Sequence, residues 1–167
     1  MQIINDKRYP VRLMHHDTKI NNILFEENSN NVISLCDLDT VMPGRIISDF
    51  GDMVRTYTCL ESEESKNFDQ IKVNIEFYDS IVKGYLEGIG HLLSESEKNS
   101  LFFASNFMVY MQSLRFLTDY LNNDIYYGSA YEGQNYQRAL NQISLFSDII
   151  KNKAELIDIV DNYINVT

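Results

Sequence analysis

Basic residues are scarce: 14 Lys and Arg stand against 24 Asp and Glu, a net charge of −10 over 167 residues. No basic patch appears, which excludes nucleic acid and anionic membrane surfaces as expected partners. Cysteine is scarce as well. Cys36 and Cys59 are the only two, too few for a disulfide scaffold, and they point to reduced thiols in the cytoplasm. No apolar run approaches the roughly 18 residues that cross a bilayer, and no secretory signal is evident. Neither G-x-G-x-x-G nor G-x-x-x-x-G-K-[ST] occurs, so the chain has no recognisable phosphate cradle of its own. There is no G-x-S-x-G nucleophile elbow, no C-x-P-x-R or S-x-P-x-R string of the sulfatase type, and no ligand at zinc spacing from His91. No internal repeat or low-complexity tract is present. With 44% hydrophobic residues, the expectation is one folded, acidic cytoplasmic domain over 1–167.

What is present is concentrated in His15-His16-Asp17-Thr18-Lys19-Ile20-Asn21-Asn22. Its spacing, H-x-D-x-K-x-x-N, sets four polar side chains with catalytic capability within eight residues. Val11, Leu13 and Met14 precede it and Ile23, Leu24 and Phe25 follow, which predicts a tight loop between two short buried strands. Rigid flanks hold a carboxylate, an ammonium and a carboxamide in one place, as positional catalysis requires. Asp17 is the candidate general base. Lys19 brings a positive charge suited to a phosphoryl group, and Asn22 an amide oxygen of the kind magnesium accepts. A polar turn built from the same residues is the competing reading.

Val32-Ile33-Ser34-Leu35-Cys36 reads as a buried strand, and it ends in two carboxylates, Asp37 and Asp39. Carboxylates there are costly unless paired or bound to a cation. Glu26–Asn31 reads as a polar hairpin turn. Pro43-Gly44 breaks the chain before a helix in which Asp49 and Asp52 favour the N-terminal dipole, and Asp52 pairs with Arg55 at i,i+3.

These stretches resemble the aminoglycoside phosphotransferase and choline kinase superfamily, whose fold is related to that of protein kinases. The strings HHDTKINNILF, CDLDTVMPG and SDFGDMVR are most similar to sugar kinases of the N-acetylhexosamine 1-kinase type. The resemblance is specific from Arg12 to Arg55 and general beyond it. It implies Asp17 as base toward an acceptor hydroxyl, Lys19 on the γ-phosphate or acceptor, and His15 as a brace. It implies magnesium held by Asn22 and Asp37, with Asp39 as an additional metal or acceptor contact. Asp49 would tie down the loop. Asp52 and Arg55 would reach the acceptor or form a structural ion pair, and His16 would face the acceptor. ATP is the implied co-substrate and a sugar or amino sugar the acceptor. The implied fold is the C-terminal helical lobe of the kinase-like fold with its N-terminal lobe absent. The chain is thus expected to be inactive alone and to expose apolar surfaces that favour a homo-oligomer. The alternative is a truncated, non-catalytic binding or interaction module.

The remainder predicts a mainly α chain with a small β-hairpin (α+β): loop-bearing strands over 1–45 and a helical bundle over 46–167. Residues 1–10 read as a poorly anchored start. Helices are predicted at about Ser48–Leu60, Asn67–Leu86, Ser94–Leu121, Gln134–Lys151 and Lys153–Asn165, with Glu61–Ser65 as a charged linker. The second carries an apolar stripe from Phe68 through Ile71, Ile75, Tyr78 and Val82. The third opens on the capping box Ser94-x-x-Glu97 and is apolar on most sides, so it belongs at the core centre or against a partner, and its Arg115 must find a partner or snorkel outward. The fourth presents Tyr136, Leu140, Ile143 and Phe146. Tyr126, Tyr127 and Tyr131 form either a sugar-stacking platform or ordinary packing.

Overall fold

The computed structural model describes residues 6–165. The chain is mainly helical, with a small antiparallel β element at its start. Strand β1 (Arg12–Met14) pairs with β4 (Met42–Gly44), and β2 (Ile23–Phe25) pairs with β3 (Val32–Leu35). The hairpin between β2 and β3 closes through the Glu26 N–H on the Asn31 carbonyl, with Asn28 left-handed at φ 62°. The helices are α1 (Ile46–Tyr57), α2 (Ile75–Ile89), the one-turn α3 (Glu95–Lys98), α4 (Leu101–Leu121), α5 (Gln134–Lys151) and α6 (Lys153–Ile164).

Helix α4 is the hub: α5 and α1 pack on it more extensively than any other pair of elements, and α2 packs on α6. The core runs through Phe50 and Val54 of α1, Tyr78, Val82 and Leu86 of α2, Leu101, Ala104 and Val109 of α4, Leu145 and Ile149 of α5, and Leu156 and Val160 of α6. Helix α1 crosses α4 closely because residue 51 is glycine; a Cβ there would overlap the Ala104 carbonyl and the Met108 side chain.

Several expectations need correction. The strands flanking the loop are not buried: Leu13, Val32, Ile33 and Leu35 are all more than half exposed, and only Met14 enters the core. Two-stranded ribbons of three or four residues cover one face at most, and these apolar side chains stay open. Cys36 is accordingly half-buried, just past β3. The second helix starts late. Phe68–Gln70 is a 3-10 turn, and the following chain runs extended, buries Ile71 and Val73, and is pinned by the Val73 N–H on Asp148. Asn74 then caps α2 by accepting from the Phe77 N–H. The capping box at Ser94 and Glu97 forms, but its helix lasts one turn, and Asn99-Ser100 separates it from α4.

Helix α4 does lie at the centre, yet Phe103, Phe107, Tyr110 and Leu114 form an exposed line on its outer side. On α5 the buried line is Asn135, Ala139, Gln142, Leu145 and Ile149, and the predicted stripe is rotated off it, with Tyr136 exposed. The reading of residues 1–10 lies outside the described residues for its first five positions. From Asp6 onward the chain is tied, with the Arg8 carbonyl accepting from the Ser94 hydroxyl.

Candidate functional site

The loop between β1 and β2 is held by α1. One Asp49 oxygen accepts the His15 N–H at 2.8 Å and the other accepts the His16 N–H at 2.8 Å. The Thr18 hydroxyl donates to the Asp49 carbonyl at 2.9 Å, and the Tyr57 hydroxyl donates to the Thr18 carbonyl. Burial and the nearby Asp52 push the Tyr57 phenol up to about 12, so it remains a donor at any physiological pH. Inside the loop, the nearly buried His15 bridges two segments. Its Nε2 lies 3.1 Å from the Cys36 carbonyl and its Nδ1 accepts the Asp17 N–H at 3.3 Å. That pair of partners selects the tautomer with the proton on Nε2.

Asp17 stands at the centre of this frame. Its Oδ2 accepts from Lys19 Nζ at 2.7 Å and from Asn22 Nδ2 at 2.9 Å. Burial pushes the Asp17 carboxyl up, but the hydrogen bonds from Lys19 and Asn22 and the charges of Lys19 and Arg55 outweigh it and hold it below the ordinary carboxylate range. It is therefore ionised at neutral pH, and its Oδ1 accepts no hydrogen bond among the described residues. The hydrogen bond to Asp17, with Asp37 and Asp52 nearby, raises the Lys19 ammonium, keeping it charged.

Asn22 is buried, and its Nδ2 is committed to the Asp17 carboxylate and carbonyl. Its carbonyl accepts the Cys36 N–H at 2.9 Å, which sets the end of β3 beside the loop. Asp37 follows in a left-handed conformation, φ 60°. Its carboxyl is pushed up by a hydrogen bond to Asp39 and by that group's charge. Two carboxylates in contact fit a bound proton or a hard cation. Among the described residues no three of His, Cys, Asp and Glu converge as a metal cluster. Magnesium is compatible with so sparse a set, because it keeps waters and takes further oxygens from phosphates.

Asp52 and Arg55 form an ion pair at 2.9 Å that also lines the cavity in front of Asp17. Burial pushes the Asp52 carboxyl up, with Arg55 opposing. Arg55 reaches Glu63 at 2.6 Å and Arg138 of α5 reaches the same carboxylate at 2.5 Å, so four charges run in series from α1 to α5. The cavity measures about 560 Å³ and also takes in His16, Lys19, Thr40, Phe116, Arg115, Tyr126 and Tyr127. Although His16 lines it, Nδ1 sits 2.6 Å from Ser48 Oγ and Nε2 is buried beside Gly44, so neither ring nitrogen is offered to an acceptor. Asp37 and Asn22 do not line this cavity; Asp17 and Lys19 do.

Glu63, Arg138, Asp119 and Asn135 belong to the site's frame and were not among the candidates. Glu63 sits in the charged linker, where nothing in the pattern sets it apart. A signal for the α5 residues exists: Asn135, Arg138, Asn141 and Gln142 recur three and four apart, a polar stripe on a helix that also carries an apolar one. Tyr131 is exposed beside Lys66 and lies outside the cavity, while Tyr126 and Tyr127 line it. No family model matches the chain.

Proposed function

We propose that this chain carries the acceptor and catalytic-loop side of an ATP-dependent phosphotransferase acting on a hydroxyl of a sugar or amino sugar. The reading rests on the resemblance to the aminoglycoside phosphotransferase and choline kinase superfamily, and to sugar kinases of the N-acetylhexosamine 1-kinase type in particular. The observation that carries it is an ionised Asp17, steadied by Lys19 and Asn22, at the wall of a cavity large enough for a monosaccharide.

On this reading an acceptor hydroxyl in the cavity donates to Asp17 and attacks the γ-phosphorus. The bond to the β-bridging oxygen breaks, ADP departs, and the hydroxyl proton passes to Asp17 late in the step. A carboxylate held below its usual range is a weak base, so its larger task is to aim the hydroxyl, in keeping with chemistry dominated by positioning and charge. Lys19 offsets charge on the transferring group. Asn22 and Asp37, with Asp39 beside them, would hold magnesium, which when bound neutralises phosphate charge. Nothing in the 167 residues supplies a glycine-rich cradle, so the nucleotide is held by protein outside them and the chain alone turns over negligibly.

The test is sugar phosphorylation by the complete gene product with Asp17→Asn. The general-base contribution is about 10²–10⁴-fold, so kcat is expected to fall by that factor with the acceptor KM little changed. Near-normal turnover of the variant would sink the assignment.

A further inference from the structure

The cavity's charges are unlike the chain's. In a protein of net charge −10 it gathers four fixed cations, Lys19, Arg55, Arg115 and Arg138, against three carboxylates, Asp17, Asp52 and Glu63. The carboxylates are all spent: Lys19 pairs with Asp17, Arg55 with Asp52 and Glu63, and Arg138 with Glu63. Arg115 is left over. Its partners among the described residues are neutral, Gln112 Oε1 at 3.5 Å and the Tyr126 hydroxyl at 3.4 Å, and its guanidinium lies 5.8 and 5.6 Å from the Tyr126 and Tyr127 ring centres.

A lone Arg on a helix surface is ordinarily just solvated. This one is set in a built frame. Buried Asp119 accepts the backbone N–H groups of Tyr126 and Tyr127 at 2.8 and 2.9 Å, and fully buried Asn135 donates to Asp119, Asp124 and the Gly128 carbonyl. The tyrosine loop is therefore fixed before any ligand arrives, and its two rings, edge to face at 4.8 Å, stand against the guanidinium. Arg115 itself is exposed, but a planar fork with unfilled donors matches a carboxylate or phosphate, and a tyrosine loop already in place beside it lowers the cost of binding one.

Resting on the phosphotransferase reading for the identity of the cavity, we infer that the acceptor is an anionic sugar, with its reacting hydroxyl at Asp17 and its carboxylate or phosphate on Arg115. The cavity contains Asp17 and Lys19 but neither Asp37 nor Asn22, so this anion site lies on the acceptor side of the loop, apart from the residues assigned to magnesium.

The experiment is calorimetric titration of the chain with D-glucose, D-glucuronate and D-glucose 6-phosphate, with no nucleotide present. At least one anionic sugar is expected to bind about tenfold or more tightly than glucose, as a charge-assisted bidentate contact provides. Arg115→Gln should reduce that preference to within about threefold while Arg115→Lys retains part of it, since a point charge replaces the fork. The glucuronate and phosphate arms tell the two anions apart. Equal binding of all three sugars, binding of none, or a preference that survives Arg115→Gln overturns the inference. Asp17→Asn should keep the preference, so near-normal phosphoryl transfer by that variant with the preference intact counts against the phosphotransferase reading alone.

Discussion

The strand region and the helical region hold themselves together by opposite means. Around β1–β4 the polar groups are tied and the apolar ones are open. His15, His16, Thr18 and Asn22 are all hydrogen-bonded, while Ile33 is 66% exposed. In α1–α6 a closed apolar core does the holding, with Phe50, Val109 and Phe116 fully buried, although α4 keeps its outer line of Phe103, Phe107, Tyr110 and Leu114 exposed. Rigidity at the candidate site therefore does not come from a buried sheet beneath the loop. It is lent by α1, through Asp49 and Tyr57, and α1 in turn is located by its crossing with α4.

The sharpest way to break that arrangement is at Gly51. Replacing glycine by alanine inside an exposed helix is worth about 1 kcal/mol in favour of folding. Here the new methyl meets the Ala104 carbonyl, a backbone atom that cannot rotate away, and overpacking costs about 3 kcal/mol. The second effect wins. Gly51→Ala should lower stability by about 2 kcal/mol net in chemical denaturation, and hydrogen exchange should speed up in the His15–Asn22 loop along with α1. A variant at least as stable as the parent would mean that the two helices do not cross so closely.

That dependence also explains what was legible in the amino-acid string. The loop residues were visible because their chemistry is local: Asp17, Lys19 and Asn22 meet within one turn of chain, so spacing alone suffices to suggest the cluster. Helix identity was legible wherever apolar spacing ran unbroken, as in α6. It failed where a long-range contact overrode the period. The Val73 N–H is taken by Asp148 from another helix, and Phe68 and Ile71 keep a helical rhythm without a helix. The buried line of α5 departs from its apolar period for a related reason. Asn141 and Gln142 go inside because Asn141 donates to the carbonyls of Ser62 and Ser65, partners that no periodicity can reveal. The wall of the cavity was illegible as a wall, since Glu63, Arg115 and Arg138 come together only when the linker after α1 packs with α4 and α5.

An ion pair joins the two regions directly. Arg12 of β1 grips Glu97 of α3 with two bonds of 2.8 Å, and Glu97 is almost wholly buried while also closing its capping box. Burial pushes the Glu97 carboxyl up, but the Arg12 guanidinium and the Ser94 N–H outweigh it and hold it below the usual range. A carboxyl depressed on folding stabilises above its unfolded value of about 4.3 and loses that contribution as pH falls through the lower folded value. Hydrogen bonds to charged groups are worth about 1.5 kcal/mol or more. Glu97→Gln should therefore cost about 1.5 kcal/mol at pH 7 and progressively less below about pH 4, narrowing the gap from the parent on acidification. A gap that stays constant from pH 7 to pH 3 would remove Glu97 from the linkage.

The smallest expected change in stability sits where the apolar residues are most exposed. Hydrophobic residues stabilise by leaving water, at about 25 cal/mol per Å², and Ile33 and Leu35 have barely left it, at 66% and 54% exposure. Substituting both by lysine should alter unfolding free energy by no more than about 0.5 kcal/mol each, as surface changes do, whereas truncating the fully buried Val109 or Phe116 would cost several times more. The same double substitution should matter strongly for association. An open strand edge with apolar side chains invites pairing, and lysine on an edge opposes it. In sedimentation equilibrium the parent chain is expected to self-associate with rising concentration, and Ile33→Lys with Leu35→Lys to remain monomeric. If both sediment as monomers, this ribbon does not drive self-association; if the double variant unfolds, Ile33 and Leu35 carry packing that their exposure conceals.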